Sequence, residues 1–196
     1  MLKTIALVMA TKIEAQCFFS NDKLELCEKK PFKIYRCNNY ILIISGIGKF
    51  NAAMAFMYLH SKYNIEKVIN LGAAGSLRDD IVISDCIIAE RIMDYSNGEE
   101  YFLKCNDNAD EICCATVDRP VYSDSQRNEI AKRAHIIDME ASGLAFAAKK
   151  LDTELMVVKH ISDAFGMHDK GEIIENIKKL SGNIYYWLQD YLACIE

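Results

Sequence analysis

Short stretches rich in β-branched and long apolar residues recur along the chain, and they alternate with longer stretches spaced for helices. Residues 4–10, Tyr40-Ile-Leu-Ile-Ile44, Lys67-Val-Ile-Asn-Leu71 and Leu155-Met-Val-Val-Lys-His-Ile161 read as strands covered on both faces, as in a sheet between helix layers. Ala52, Phe56 and Leu59, with Ala53, Met57 and His60 beside them, predict a helix from Asn51 to about Tyr63. A small apolar helix follows over Ala141 to Lys149. On the final helix, Glu172 to Ile195, the residues Ile173, Ile177, Leu180, Ile184 and Trp187 form one stripe, which reads as ordinary core packing. A further helix is expected near Ser125 to Arg133, and another opened by Thr11-Lys12 and carrying Glu14. This alternation predicts an α/β fold: a three-layer αβα sandwich with a central mixed, largely parallel sheet, in one domain over residues 1–196.

The connections are less regular. Lys33 to Cys37 and Tyr40 to Ile44 predict a hairpin turning at Asn38-Asn39, since asparagine tolerates left-handed backbone. Ser45-Gly-Ile-Gly-Lys49 and Gly72-Ala-Ala-Gly-Ser76 each follow a strand and read as small-residue turns that allow close backbone approach to a ligand. Neither has P-loop or dinucleotide spacing: Ile43 stands where a P-loop needs glycine, and Asn51 replaces the third glycine of a dinucleotide motif. Ile81 to Glu90 reads as a strand. From Met93 to Ser125 the periodicity fades into pieces such as residues 101–103 and 112–116.

Composition narrows the function classes. The net charge of -5, with lysines and arginines scattered, leaves no basic footprint for nucleic acid or an anionic membrane. No apolar run approaches the length of a membrane span, and the first ten residues read as a strand, not a leader. Eight cysteines without a CxxC pair point to reduced thiols in a cytoplasmic protein, and four isolated histidines offer no metal-ligand spacing. No cofactor is implied. A small molecule is the expected partner.

The candidate chemistry lies at the carboxyl edge of the sheet, where open α/β sheets bind ligands. Ser162-Asp163 ends the last buried strand, and an aspartate among apolar neighbours there is suited to giving up a proton. Glu14, just past the first strand, falls on the same edge, although alone it fits a solvated acid complementing a helix dipole. Glu140 likewise fits an acid at a helix N-terminus, and a strand end at Asp138-Met-Glu140 would turn both carboxylates to one face.

Taken together, Ala10 to Ala15, Ser45-Gly-Ile-Gly-Lys49, Asn70-Leu-Gly-Ala-Ala-Gly75, Asp138-Met-Glu-Ala141 and Ile161-Ser-Asp163 resemble, in the same order, the bacterial methylthioadenosine/S-adenosylhomocysteine nucleosidases of the nucleoside phosphorylase superfamily. The resemblance implies hydrolysis of the N-glycosidic bond of a purine nucleoside. Asp163 would protonate N7 of the base with Ser162 orienting it. Met139 and Glu140 would hold the ribose, and Glu14 would activate water. Gly46, Ala74 and Gly75 would line the ribose and water region, and Tyr122 or Phe165 would offer an aromatic face to the base. It also implies a homodimer. Departures are Ala73 where serine is common and Asp138 where glutamate is common. A phosphorylase of the same superfamily is the nearest rival, and a nucleoside-binding protein without turnover is the other. A phosphorylase would want arginines for its phosphate, and the strand before Gly72 offers none.

Overall fold

The apolar runs come together as neighbours in one mixed sheet, in a computed structural model that describes residues 4–37, 39–103, 111–167 and 169–195. Its eleven strands are β1 (Thr4–Met9), β2 (Glu25–Glu28), β3 (Lys33–Arg36), β4 (Tyr40–Ile44), β5 (Ile65–Ser76), β6 (Cys86–Ala89), β7 (Arg91–Asp94), β8 (Glu100–Phe102), β9 (Cys113–Thr116), β10 (Ile136–Asp138) and β11 (Glu154–Asp163). The helices are α1 (Gln16–Asn21), α2 (Lys49–Lys62), α3 (Asp124–Ala131), α4 (Ala141–Lys150) and α5 (Lys170–Ile195).

β5 is the axis. Its first half pairs in parallel with β1, and β11 runs parallel beside it from Lys67 to Gly75. Its last residues, Gly75 and Ser76, pair antiparallel with β10. β4 joins β1 in parallel, and β9 and β7 continue in parallel from β10, while β2, β3, β6 and β8 add antiparallel edges. The pairings divide evenly, five parallel and five antiparallel, so the sheet is mixed with its parallel ladders at the centre.

Period-2 alternation sends the strands' side chains into two helix layers. Val157 and Ile161 join Ala52, Phe56, Leu59 and Leu144 under α2 and α4, whereas Val158 and Leu7 join Phe18, Leu180, Ile184 and Leu188 under α1 and α5. Gly143 lets the two helices of the first layer touch, because a Cβ there would stand 1.9 Å from the Lys49 carbonyl oxygen. A smaller cluster joins Ile130 of α3 to Ala115 and Ile137.

Four expectations change. Glu14 precedes α1 instead of riding on it, since residues 12–15 form a turn stitched by Ala15 N–H to the Thr11 carbonyl. Gly72 to Ser76 continue β5 rather than turning; small residues serve there to admit two carboxylates, as shown below. The strand expected over residues 81–90 is confined to Cys86–Ala89, and β2 and β7 had not been anticipated. Of the hairpin turn, Asn38 lies outside the described residues. The seven described cysteines are all free; Cys105 lies outside the described residues. Among the described residues no helix is long and apolar enough to cross a membrane.

Candidate active site

At the carboxyl edge of β1, β5 and β11 lies a cavity of about 320 Å³ that takes in Glu14, Asp138, Met139, Glu140, Ser162 and Asp163. Each acid reaches it by a different device. Glu14 is drawn inward by three donors: Thr11 N–H and Thr11 Oγ1 reach its Oε2 at 2.8 Å, and Ala73 N–H reaches Oε1 at 3.0 Å. The missing side chain of Gly72 is what makes room, for a Cβ there would stand 2.6 Å from Oε1. Ala73, the residue that departs from the usual serine, thus contributes through its backbone.

Glu140 takes a 2.8 Å hydrogen bond from Gly48 N–H, so the turn after β4 serves this acid. Gly48 has φ +107°, a conformation that side chains resist, and the amide is aimed inward by it. Beneath them lies Lys159, fully buried, 2.8 Å from Asp138. Burial alone would lower the Lys159 pKa, but Asp138 and Glu140 outweigh it and hold the ammonium above the usual lysine range. Asp138 is otherwise satisfied by Thr116 Oγ1 at 2.7 Å and by the N–H of Ala141, the first residue of α4, at 2.8 Å. Burial pushes Glu140 up to about 7; Lys159 opposes the shift, and the charges of Asp138 and Glu14 add to it.

Asp163 sits where β11 is bulged between Ile161 and Asp163, leaving Ser162 out of the ladder. On a regular strand these neighbours would face opposite ways; the irregularity brings both to the cavity. Ser162 Oγ donates to Asp163 Oδ1 at 2.7 Å, and Asn176 of α5 holds the Ser162 carbonyl at 2.9 Å. Gly75 is the counterpart of Gly72, since a Cβ there would stand 2.8 Å from Asp163 Oδ2. The surroundings expected of Asp163 are not those found. Beside the apolar Ile137, the guanidinium of Arg127 makes a salt bridge to Oδ2, so burial here comes with a cation.

The remaining wall is apolar. Val117, Pro120, Val121 and Tyr122 line it together with Ile13, Ile47, Ile173, Ile174 and Ile177. Ile173 and Ile177, read as core from the sequence, are therefore cavity wall. Ala74, Gly75, Tyr122 and Met139 also line the cavity, as placed from the sequence. Gly46 does not: its N–H goes to the Ala10 carbonyl at 3.0 Å, extending the β4 to β1 ladder, and Ile47 takes the cavity position. Phe165 faces a shallow surface depression with Leu77 and Arg78, because the chain turns after Asp163 through Gly166.

Sequence reasoning missed Thr11, Lys159 and Arg127. Lys159 carried a signal, a lysine inside an apolar strand, which is seldom tolerated without a partner. Arg127 carried none, lying in the polar stretch of α3.

With this geometry in place, the likeness to known proteins falls into line. A 5′-methylthioadenosine/S-adenosylhomocysteine nucleosidase of Buchnera aphidicola subsp. Acyrthosiphon pisum is 29% identical over 79% of this chain and 82% of its own length. The enzyme of the same name from Oceanobacillus iheyensis is 26% identical over 64% of this chain and 69% of its own. Among solved structures, the nucleosidase of Colwellia psychrerythraea in complex with adenine superposes with a TM-score of 0.86 at 16% identity, covering 98% of this chain and 96% of that one. A Helicobacter pylori mutant with 5′-methylthioadenosine in its active site gives 0.83 at 18% identity over 100% of both chains. The fold is therefore theirs. Residues 4–110, which supply β1, Glu14, the turn before α2 and the whole of β5, match the phosphorylase superfamily, and the chain belongs to that family.

Proposed function

We propose that the protein hydrolyses the N-glycosidic bond of a purine nucleoside, a 5′-modified adenosine such as 5′-methylthioadenosine or S-adenosylhomocysteine, and releases the free base. The observation that carries this reading is the meeting of Glu14, Glu140 and Asp163, from three distant parts of the sequence, in one cavity. The names of the relatives agree with it.

Cleaving this bond develops positive charge on the sugar and negative charge on the departing base, through an oxocarbenium-like state. Glu14, anchored through Thr11 and Ala73, accepts a proton from water as its oxygen attacks C1′. The electrons of the C1′–N9 bond pass to the base, and Asp163 supplies the proton that neutralises it at N7. Glu140 accepts hydrogen bonds from the ribose hydroxyls, Met139 packs on the sugar, and Lys159 keeps the buried acids from repelling one another. The wall that Ile13, Ile47, Ile173, Ile174 and Ile177 contribute receives the 5′ substituent.

The test is incubation with a panel of purine nucleosides, following free base and sugar. Free adenine with an unphosphorylated sugar, at a rate indifferent to phosphate, is the expected result. Release that requires phosphate and yields ribose 1-phosphate would make it a phosphorylase, and nucleoside binding without turnover would remove the enzymatic reading.

The acting form is a homodimer. Phe50, Met54 and Met57 are 76%, 61% and 48% exposed at helical spacing on α2, and Ile47, 55% exposed, continues the stripe to the cavity. A second copy covering it would shelter the site. Sedimentation should give a dimer that Phe50→Glu dissociates. The free thiols suit the reducing cytoplasm, where we place the protein.

A further inference from the structure

Arg127 is the largest fully buried side chain in the described structure, and the mechanism above gives it no task. Its guanidinium reaches three parts of the site at once. Nε donates to the Val121 carbonyl at 3.2 Å in the wall beside Asp163, Nη1 donates to the Ser76 carbonyl at 3.1 Å where β5 ends, and Nη2 donates to Asp163 Oδ2. Since Ser162 Oγ donates to Oδ1, both oxygens of Asp163 are engaged.

A merely structural arginine has no need to line a cavity or to take the oxygen of an acid that faces it, and Arg127 does both. The planar fork suits the task, because its donors fix the direction of the carboxylate as well as its distance. The other charged or titratable groups at the cavity are Glu14, Asp138 and Glu140 at the ribose end, Tyr122 in the wall and Lys170 at the start of α5, with Lys159 beneath Asp138. Among the described residues only Ser162 and Arg127 hydrogen-bond to the Asp163 carboxylate.

We propose that Arg127 is a positioning residue: it seats Asp163 and the wall at Val121 in one register for the base, and yields Oδ2 to N7 of the purine when the nucleoside binds. This rests on the nucleosidase reading. Asp163 takes up a proton from solvent as Arg127 lets go, passes it to N7 while the C1′–N9 electrons leave with the base, and pairs with Arg127 again once product departs. Glu14 returns to solvent the proton it took from the attacking water, so the cycle closes with water consumed and no net proton.

The test is a double-mutant cycle of Arg127→Met and Asp163→Asn, with Arg127→Lys as the conservative variant and circular dichroism to confirm folding. Arg127→Met should lower kcat by roughly 10²-fold, the loss expected of a misplaced reacting group. In the Asp163→Asn background it should cost less than about threefold, because the two act as one unit. Arg127→Lys, which keeps the charge and loses the fork, should recover part of kcat. Multiplicative losses in the double variant, or no recovery in Arg127→Lys, would overturn the proposal.

Adenine binding by calorimetry separates this inference from the reading beneath it. Arg127→Met should weaken adenine binding at least about tenfold in the wild type and hardly at all in Asp163→Asn, whether or not the protein turns nucleosides over. Equal weakening in both backgrounds, or adenine binding that Arg127→Met leaves untouched, would overturn the positioning role. A wild type that releases no base from any nucleoside would overturn the nucleosidase reading alone. Should Arg127→Met fail to fold, the same cycle run with Arg127→Lys decides, with additivity again the overturning result.

Discussion

At one side of the cavity the acids are held mainly by backbone amides set in strands and turns, Glu14 by Thr11 and Ala73, with the Thr11 hydroxyl beside them, and Glu140 by Gly48, over a buried lysine. At the other, Asp163 is held by two side chains, one adjacent and one from a helix 36 residues away. Amides fixed by strand and turn geometry need no further support, so the first end is rigid as soon as the sheet forms. The second end depends on α3 docking correctly. If that contrast is right, losses at the first end should fall on chemistry and stability directly, and losses at the second should fall through Arg127.

The largest effect should come from the acids themselves. Glu14→Gln keeps the shape and removes the proton acceptor, and is expected to lower kcat by about 10²–10⁴-fold with little change in melting temperature. Asp163→Asn should fall in the same range. A Glu14→Gln enzyme retaining more than about a tenth of its rate would mean that water needs no base here, and the ribose end would lose its chemical role.

Next in size is Lys159→Met. It fits the apolar strand in volume but leaves Asp138 and Glu140 buried without their cation, and unpairing a buried ion pair typically costs about 3–5 kcal/mol. Chemical denaturation should show that loss. A variant as stable as the wild type would show that the buried pair adds no net stability.

The same contrast explains what could be read from the sequence. The buried strands and the positions of Glu14, Glu140 and Asp163 follow from apolar runs that end on acids, a local signal. Gly72 to Ser76 misled because small residues suggest a turn, whereas here they thin a strand so that carboxylates can lie against it. Phe165 was misplaced because one residue past a strand end a turn decides direction, and Gly166 decides it toward Leu77. The salt bridge of Arg127 is tertiary, and no spacing within α3 announces it.

Smaller effects separate the two glycines of β5. Gly72→Ala would press on Glu14 Oε1, which Ala73 N–H holds, in a carboxylate that Thr11 pins at its other oxygen, and overpacking of this kind costs about 1–3 kcal/mol. The cost should appear as a fall in kcat of about tenfold or more. Gly75→Ala presses on Asp163 Oδ2 and on Ile137. Since Arg127 holds that oxygen, Gly75→Ala should lose much of its effect in an Arg127→Met background, while Gly72→Ala should not. Equal sensitivity of both to Arg127 would erase the distinction between the ends.

The smallest predicted effect is a pH dependence of binding that belongs to the ribose end. Glu140, pushed up to about 7 by burial and by its acidic neighbours, is largely protonated below that pH. Under the proposed function ribose hydroxyls donate to this carboxylate, so binding favours the ionised form and must expel the proton at low pH. Affinity should then weaken as pH falls below about 7, approaching tenfold per unit, or about 1.4 kcal/mol. Measuring nucleoside binding to Asp163→Asn, whose turnover is expected to be at least about a hundredfold slower, keeps the chemistry out of the measurement and removes the acid at 163 from the profile. The dependence should survive there and vanish in the Asp163→Asn, Glu140→Gln double variant. If it survives the second substitution instead, the proton lies elsewhere among the acids around Lys159, and the ribose end titrates as a cluster.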